Sequence, residues 1–205
     1  MKKINKNILI HIGYNKAGST YLQKFFFPNL PVNFNRLNKD YLFQLENIKD
    51  KKIFYNKLPT IFSNEFFVDS FEYKKIAKDL KKFFPHPKIL IIIRNQFDFV
   101  ASLYSYRVLR KAEYRSFNNF VKEKEHEGEF KNLEYEKIIS YYIDLFGKNK
   151  VLVLALEDLK INSVLFKEKI LNFIDLDNQN LLIQKQKKVN KTTKKNFYNK
   201  NYSFN

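Results

Sequence analysis

Two uninterrupted apolar runs, Ile89-Leu90-Ile91-Ile92-Ile93 and Val151-Leu152-Val153-Leu154, constrain the fold of this chain more than any other feature. A strand with one wet face alternates apolar and polar residues, whereas a strand covered on both faces by helices has no polar side to show. Both runs fall far short of the roughly 20 residues that cross a bilayer. They read as central strands of a parallel sheet. Extended to 88–94 and 150–156 and joined by segments 7–12 and 58–63, they make four strand candidates. Between them, helical spacing predicts helices over 19–27, 69–84, 97–111, 116–126, 134–146 and 164–174. Pro85-His86-Pro87 ends the second helix, because proline lacks a backbone donor and restricts the residue ahead of it. Gly147 is placed to end the fifth. This alternation predicts an α/β three-layer sandwich around a central, mainly parallel sheet. Residues 40–57 read as a substrate-side insertion with a helical start over 40–47. No repeat or linker divides the 205 residues, so 1–180 read as one domain and 181–205 as a basic tail.

Composition removes several chemistries. With no Cys there is no disulfide framework, thiolate zinc site or cysteine nucleophile. The three His are scattered and no acidic spacing repeats, so no metal motif is present. His11, inside the first strand, reads as structural, His86 as a turn residue and His126 as part of a solvated helix end. The basic start is followed by an apolar stretch that is too short for a signal peptide and contains His11, so the expectation is a cytoplasmic protein. No segment spans a membrane, although peripheral contact with one is allowed. The net charge of +17 attracts polyanions, but Lys is enriched throughout the chain rather than in one patch. The tail holds seven Lys and no acid, interleaved with Phe197, Tyr198, Tyr202 and Phe204, and suits a flexible arm or a flap over an anionic ligand.

The chemistry concentrates after the first strand. In His11-Ile12-Gly13-Tyr14-Asn15-Lys16-Ala17-Gly18-Ser19-Thr20 a strand runs through a glycine loop into a helix, a setting that turns backbone N–H groups toward an anion. Gly13 and Gly18 have the spacing of a nucleoside-triphosphate loop, but Ser19 stands where that loop has its Lys, and the basic residue is Lys16. After the third strand, Arg94 and Ser102 reach the same sheet edge. A guanidinium and a hydroxyl there suit a terminal phosphate. Asp98 reads as a helix-start residue favoured by the helix dipole, and Tyr104, Tyr106 and Arg107 as packing or surface residues.

The string from His11 through Lys16, Gly18, Ser19 and Thr20 to Gln23 resembles the 5′-phosphosulfate loop of sulfotransferases that use 3′-phosphoadenosine 5′-phosphosulfate (PAPS), bacterial members especially. The resemblance implies a P-loop-like phosphate-binding loop. In it Lys16 stabilises the leaving group, and Asn15, Ala17, Gly18, Ser19 and Thr20 complete the cradle. Arg94-Asn95-Gln96, followed by Asp98 and Ser102-Leu103-Tyr104, resembles the family's 3′-phosphate site, with Gln96 where Pro is commoner, and implies that Arg94 and Ser102 bind there. Lys188-Val189-Asn190-Lys191-Thr192 resembles a stretch on the same side, which adds Asn190 and Lys191. The segment from Tyr142 through Gly147 to Glu157-Asp158-Leu159 resembles the family's penultimate helix and last core strand, with Glu157 and Asp158 opening a short helix. Ser63-Asn64-Glu65 resembles a Ser-x-Glu of bacterial relatives and implies that Glu65 is the base.

The expected function is sulfuryl transfer from PAPS to a hydroxyl acceptor, a carbohydrate or glycolipid, without a metal and without a nucleic-acid partner. Two alternatives stand beside it: a non-catalytic polyanion- or nucleic-acid-binding protein that uses the charge alone, and a small-molecule kinase with an altered loop.

Overall fold

All six residues of β1 (Ile8–Gly13) are buried, on both alternating sides, so layers of side chains cover the strand from above and below. The computed structural model describes residues 7–49, 58–65, 67, 72–84, 86–110, 114–127 and 129–176. Around β1 lie β2 (Asn33–Arg36), β3 (Thr60–Asn64), β4 (Lys88–Ile93) and β5 (Val151–Ala155), all parallel, in the order β2-β3-β1-β4-β5. Ile10 is in register with Phe62 of β3 on one side and Ile89 of β4 on the other. Helices flank this sheet, which gives the three-layer α/β arrangement expected.

The chain leaves β1 for the far edge at β2, returns through β3 and then passes β1 to reach β4 and β5. Connections diverge on either side of the central strand. In an open parallel sheet, that divergence opens a crevice at the carboxyl ends of the strands. The opposite edge is closed by residues 174 and 175: Asn7 Nδ2 donates to the Ile174 carbonyl at 2.6 Å, and Lys88 pairs with Asp175 at 2.5 Å.

The helices are α1 (Ser19–Tyr21), α2 (Tyr41–Lys49), α3 (Tyr73–Phe83), α4 (Gln96–Arg110), α5 (Phe117–His126), α6 (Tyr135–Phe146), α7 (Leu156–Ile161) and α8 (Ser163–Phe173). Their ends carry local reasons. Ser116 Oγ accepts the Asn119 N–H to start α5, and Asn162 Oδ1 accepts the Leu165 N–H to start α8. Gly147, at φ 96°, stops α6, with its N–H on the Ile143 carbonyl at 2.7 Å.

Three local expectations are corrected. The run at 151–154 reads as a central strand, but β5 lies at an edge of the sheet, pairs with β4 alone, and has only Leu154 buried. The sheet has a fifth strand, β2, at one edge and paired with β3; its sequence Asn-Phe-Asn-Arg is short and mostly polar, so it carries no apolar run. The helix expected over 19–27 is α-helical only through Tyr21. It widens into a π-helical stretch, Leu22–Phe26, and tightens into a 3-10 turn, Phe27–Asn29, at Pro28. The tail 181–205, the part of the insertion over 50–57 and the predicted helix residues 69–71 and 111 lie outside the described residues.

Candidate functional site

The loop after β1 is built from backbone bonds and two left-handed residues. The Ala17 N–H and the Ser19 hydroxyl both donate to the Tyr14 carbonyl, at 3.2 and 3.3 Å, and the N–H groups of Tyr21 and Leu22 return to the Gly18 carbonyl. Lys16 has φ 63° and Gly18 φ 84°, conformations that curl successive peptides around a common concavity. Gly18 serves its left-handed position without a Cβ penalty. Gly13 is needed for space: a Cβ there would lie 2.5 Å from Ser19 Oγ and 2.9 Å from His11 Nε2.

The corner after β4 is bolted to that loop. Arg94 Nη1 donates to the Lys16 carbonyl at 2.9 Å. The Tyr135 hydroxyl donates to the Arg94 carbonyl at 2.8 Å, while its ring packs edge-on against Tyr14 at 4.9 Å. Asn95 Oδ1 accepts the Asp98 N–H and so caps α4, and Glu157 Oε1 accepts the Asn95 N–H. Two turns into α4 comes Ser102, half-buried, with Tyr106 one turn further on the same face. The Lys16 ammonium sits 3.6 Å from the centre of the Tyr106 ring.

Glu65 completes the group from the other neighbour of β1. It follows β3, is 18% exposed at its side chain, and lies 3.6 Å from Arg36 Nη2 at the end of β2. Its charge reaches Lys16. Burial pushes the Lys16 ammonium below its ordinary value, the Glu65 carboxylate opposes that shift, and Arg94 adds to it.

Beneath the loop the chemistry changes. His11 is fully buried, its Nδ1 2.7 Å from Ser63 Oγ, which also receives the Gln23 Nε2–H at 2.9 Å. Burial alone lowers the imidazole to about 3, so it is neutral.

Lys16, Arg94 and Glu65 thus meet at one sheet edge, with Ser102 on the α4 face that carries Tyr106; Asn15, Ala17, Gly18, Ser19 and Thr20 form the loop and first turn beside them. Asn190 and Lys191 lie outside the described residues. Sequence reasoning missed Arg36, Tyr106 and Tyr135 at this site. For Tyr106 a signal existed, its four-residue spacing from Ser102; for Arg36 and Tyr135 only the tertiary fold supplies one. Among the described residues no group of three or more His, Cys, Asp or Glu is placed to hold a metal ion, and no helix is long and apolar enough to cross a membrane.

A family model described as "Sulfotransferase domain" matches residues 6–204. A comparison with curated proteins gives no match. Among solved structures, a sulfotransferase from Alicyclobacillus acidocaldarius superposes with a TM-score of 0.60 at 21% identity, over 84% of this chain and 82% of that one. A mouse sulfotransferase complexed with PAP gives 0.59 at 17% identity, over 86% of this chain and 62% of that one. The sulfotransferase domain of the Synechococcus PCC 7002 olefin synthase gives 0.57 at 14% identity, over 86% and 75%. At these identities the structural likeness is one of fold.

Proposed function

The chain belongs to the sulfotransferase-domain family, and from that premise we propose that it moves a sulfuryl group from PAPS to a hydroxyl on a carbohydrate or glycolipid. The observation that carries this reading is the hydrogen bond from Arg94 Nη1 to the Lys16 carbonyl, which makes the two phosphate-suited corners adjacent parts of one crevice. The donor set fits a doubly anionic nucleotide. Arg94 Nε is buried without a hydrogen-bond partner, an arrangement that costs about 1–3 kcal/mol unless an acceptor arrives.

In this reading Asn15, Ala17, Gly18, Ser19 and Thr20 hold the 5′ side, and Arg94 and Ser102 hold the 3′-phosphate, with Asn190 and Lys191 assigned to the same side. Bound there, PAPS supplies an electrophilic sulfur and a phosphate leaving group. Glu65 accepts the proton of the acceptor hydroxyl, a general-base contribution of about 10²–10⁴. Lys16 holds its positive charge where negative charge develops on the departing oxygen. The electrostatic role that a metal plays in many phosphoryl transfers falls to Lys16 and the loop N–H groups. The absence of Cys from the chain suits a reducing cytoplasm.

Thermal unfolding in the presence of 3′,5′-adenosine bisphosphate or of ATP with Mg²⁺ tests the reading. Saturating bisphosphate is expected to stabilise the protein by about 2.7 kcal/mol at a hundredfold excess over its dissociation constant, with ATP far weaker. Stabilisation by ATP alone would favour the kinase. Nucleic-acid binding with a steep salt slope and no response to the bisphosphate would favour the polyanion binder.

A further inference from the structure

The buried trio below the loop has a direction. Ser63 Oγ is sealed from water and accepts the Gln23 amide N–H, so its own proton needs an acceptor, and His11 Nδ1 at 2.7 Å is the one within reach. Reversing the Gln23 amide would strand both of its N–H groups in a dry site, a worse outcome than a stranded carbonyl oxygen. The imidazole proton therefore sits on Nε2. That nitrogen is fully buried and has no hydrogen-bond partner. It faces the loop: His11 Nε2 and Ser19 Oγ both lie within 2.9 Å of the point where a Gly13 Cβ would stand, and only a glycine leaves that space open. Ser19, meanwhile, directs its hydroxyl to the Tyr14 carbonyl at 3.3 Å, long for a bond from a hydroxyl.

We propose that His11 is a positioning residue for the phosphate loop: its Nε2–H donates to Ser19 Oγ when an oxyanion enters, which turns the Ser19 proton away from Tyr14 and onto that oxyanion. Ser63 fixes the tautomer and Gln23 fixes Ser63. The trio thus converts a strand-pairing contact, His11 opposite Ser63 in the β1–β3 register, into an aimed donor under the loop. No proton changes owner in this step; each hydrogen bond exchanges its acceptor. The assignment rests on the nucleotide reading above, and its ligand is the 5′-phosphate of that nucleotide.

The test uses the full chain, with nitrogen-15 NMR of the His11 ring and of the loop amides during titration with 3′,5′-adenosine bisphosphate. The expected result is an Nε2–H tautomer in the free protein, and an Nε2–H proton that moves downfield as the loop amides saturate. A His11→Gln change, which keeps an N–H near the Nε2 position, is expected to retain more affinity for the bisphosphate than His11→Leu, and Ser63→Ala to weaken it about fivefold, the size of one hydrogen bond. An Nδ1–H tautomer, or an Nε2–H that stays still while the loop amides shift, overturns the inference and leaves the nucleotide reading intact. If neither set of resonances responds, both fall.

Discussion

The rim and the floor of the crevice are made from the same strand ends, yet they are opposite materials. On the rim, Lys16, Glu65, Arg36 and Arg94 are partly exposed and charged, and each modifies its neighbours: Lys16 feels both Glu65 and Arg94, and Glu65 pairs with Arg36. Deeper in the sheet, on β1 and β3 themselves, the floor residues His11 and Ser63 are dry and neutral, and a hydrogen bond of 2.7 Å joins them. Water between rim charges keeps their interactions adjustable, whereas the floor has no solvent to repair a lost partner. Chemistry belongs to the first region and geometry to the second. Substitutions on the rim should therefore change rates more than stability, and on the floor the reverse.

The largest departure should come from Lys16→Ala. Initial-rate assays with PAPS are expected to show kcat lower by about 10³, the scale of losing one charge-stabilising donor. The thermal midpoint should hold or rise, because the lost ammonium is desolvated and stands near Arg94. A collapse in stability with the rate loss would erase the distinction between rim and floor.

Glu65→Gln is expected to lower kcat by about 10² while nucleotide affinity survives. It also removes the carboxylate that raises the Lys16 value. The alkaline limb of bisphosphate binding, where Lys16 gives up its proton, should then move to lower pH. A limb that stays put or moves up, in binding measured across pH, would show that the two rim groups do not communicate.

The smallest effect belongs to the floor. His11 is held at about 3 in the fold, against about 6.5 for a free imidazole. The depressed value means that the stability tied to neutral His11 is complete above pH 6.5 and drains away as pH falls toward 3. Denaturant unfolding between pH 6 and 4 should show a stability slope shallower by about 1 kcal/mol per pH unit in His11→Gln than in the unaltered protein. Equal slopes would mean that water reaches the floor.

What sequence could reveal follows a different division, between local pattern and tertiary register. The run that became β4 was legible because burial on both faces leaves few polar positions; the run that became β5 was legible as a strand from its unbroken apolar sequence, although β5 lies at the sheet edge and is mostly half-buried. Lys16, Gly18 and Arg94 were legible because glycine spacing and a basic residue at a strand end leave a local pattern. β2 was not, since a four-residue edge strand with two Asn and an Arg has no apolar signature, and with it went the Arg36 partner of Glu65. His11 was read as structural, and its burial agrees. Its pairing with Ser63 depends on the register of strands that lie 52 residues apart, which no local pattern encodes.

The central place of β1 also shapes how the molecule is made. Ile8–Gly13 leaves the ribosome before either strand that will flank it, since those begin only at Thr60 and Lys88. Until both have emerged, an aliphatic segment with two unpaired edges is exposed to other nascent chains and to chaperones. Contacts so distant in sequence make for slow folding. Slow translation through the stretch ahead of β4 would lengthen that exposure, and faster synthesis there would shorten it.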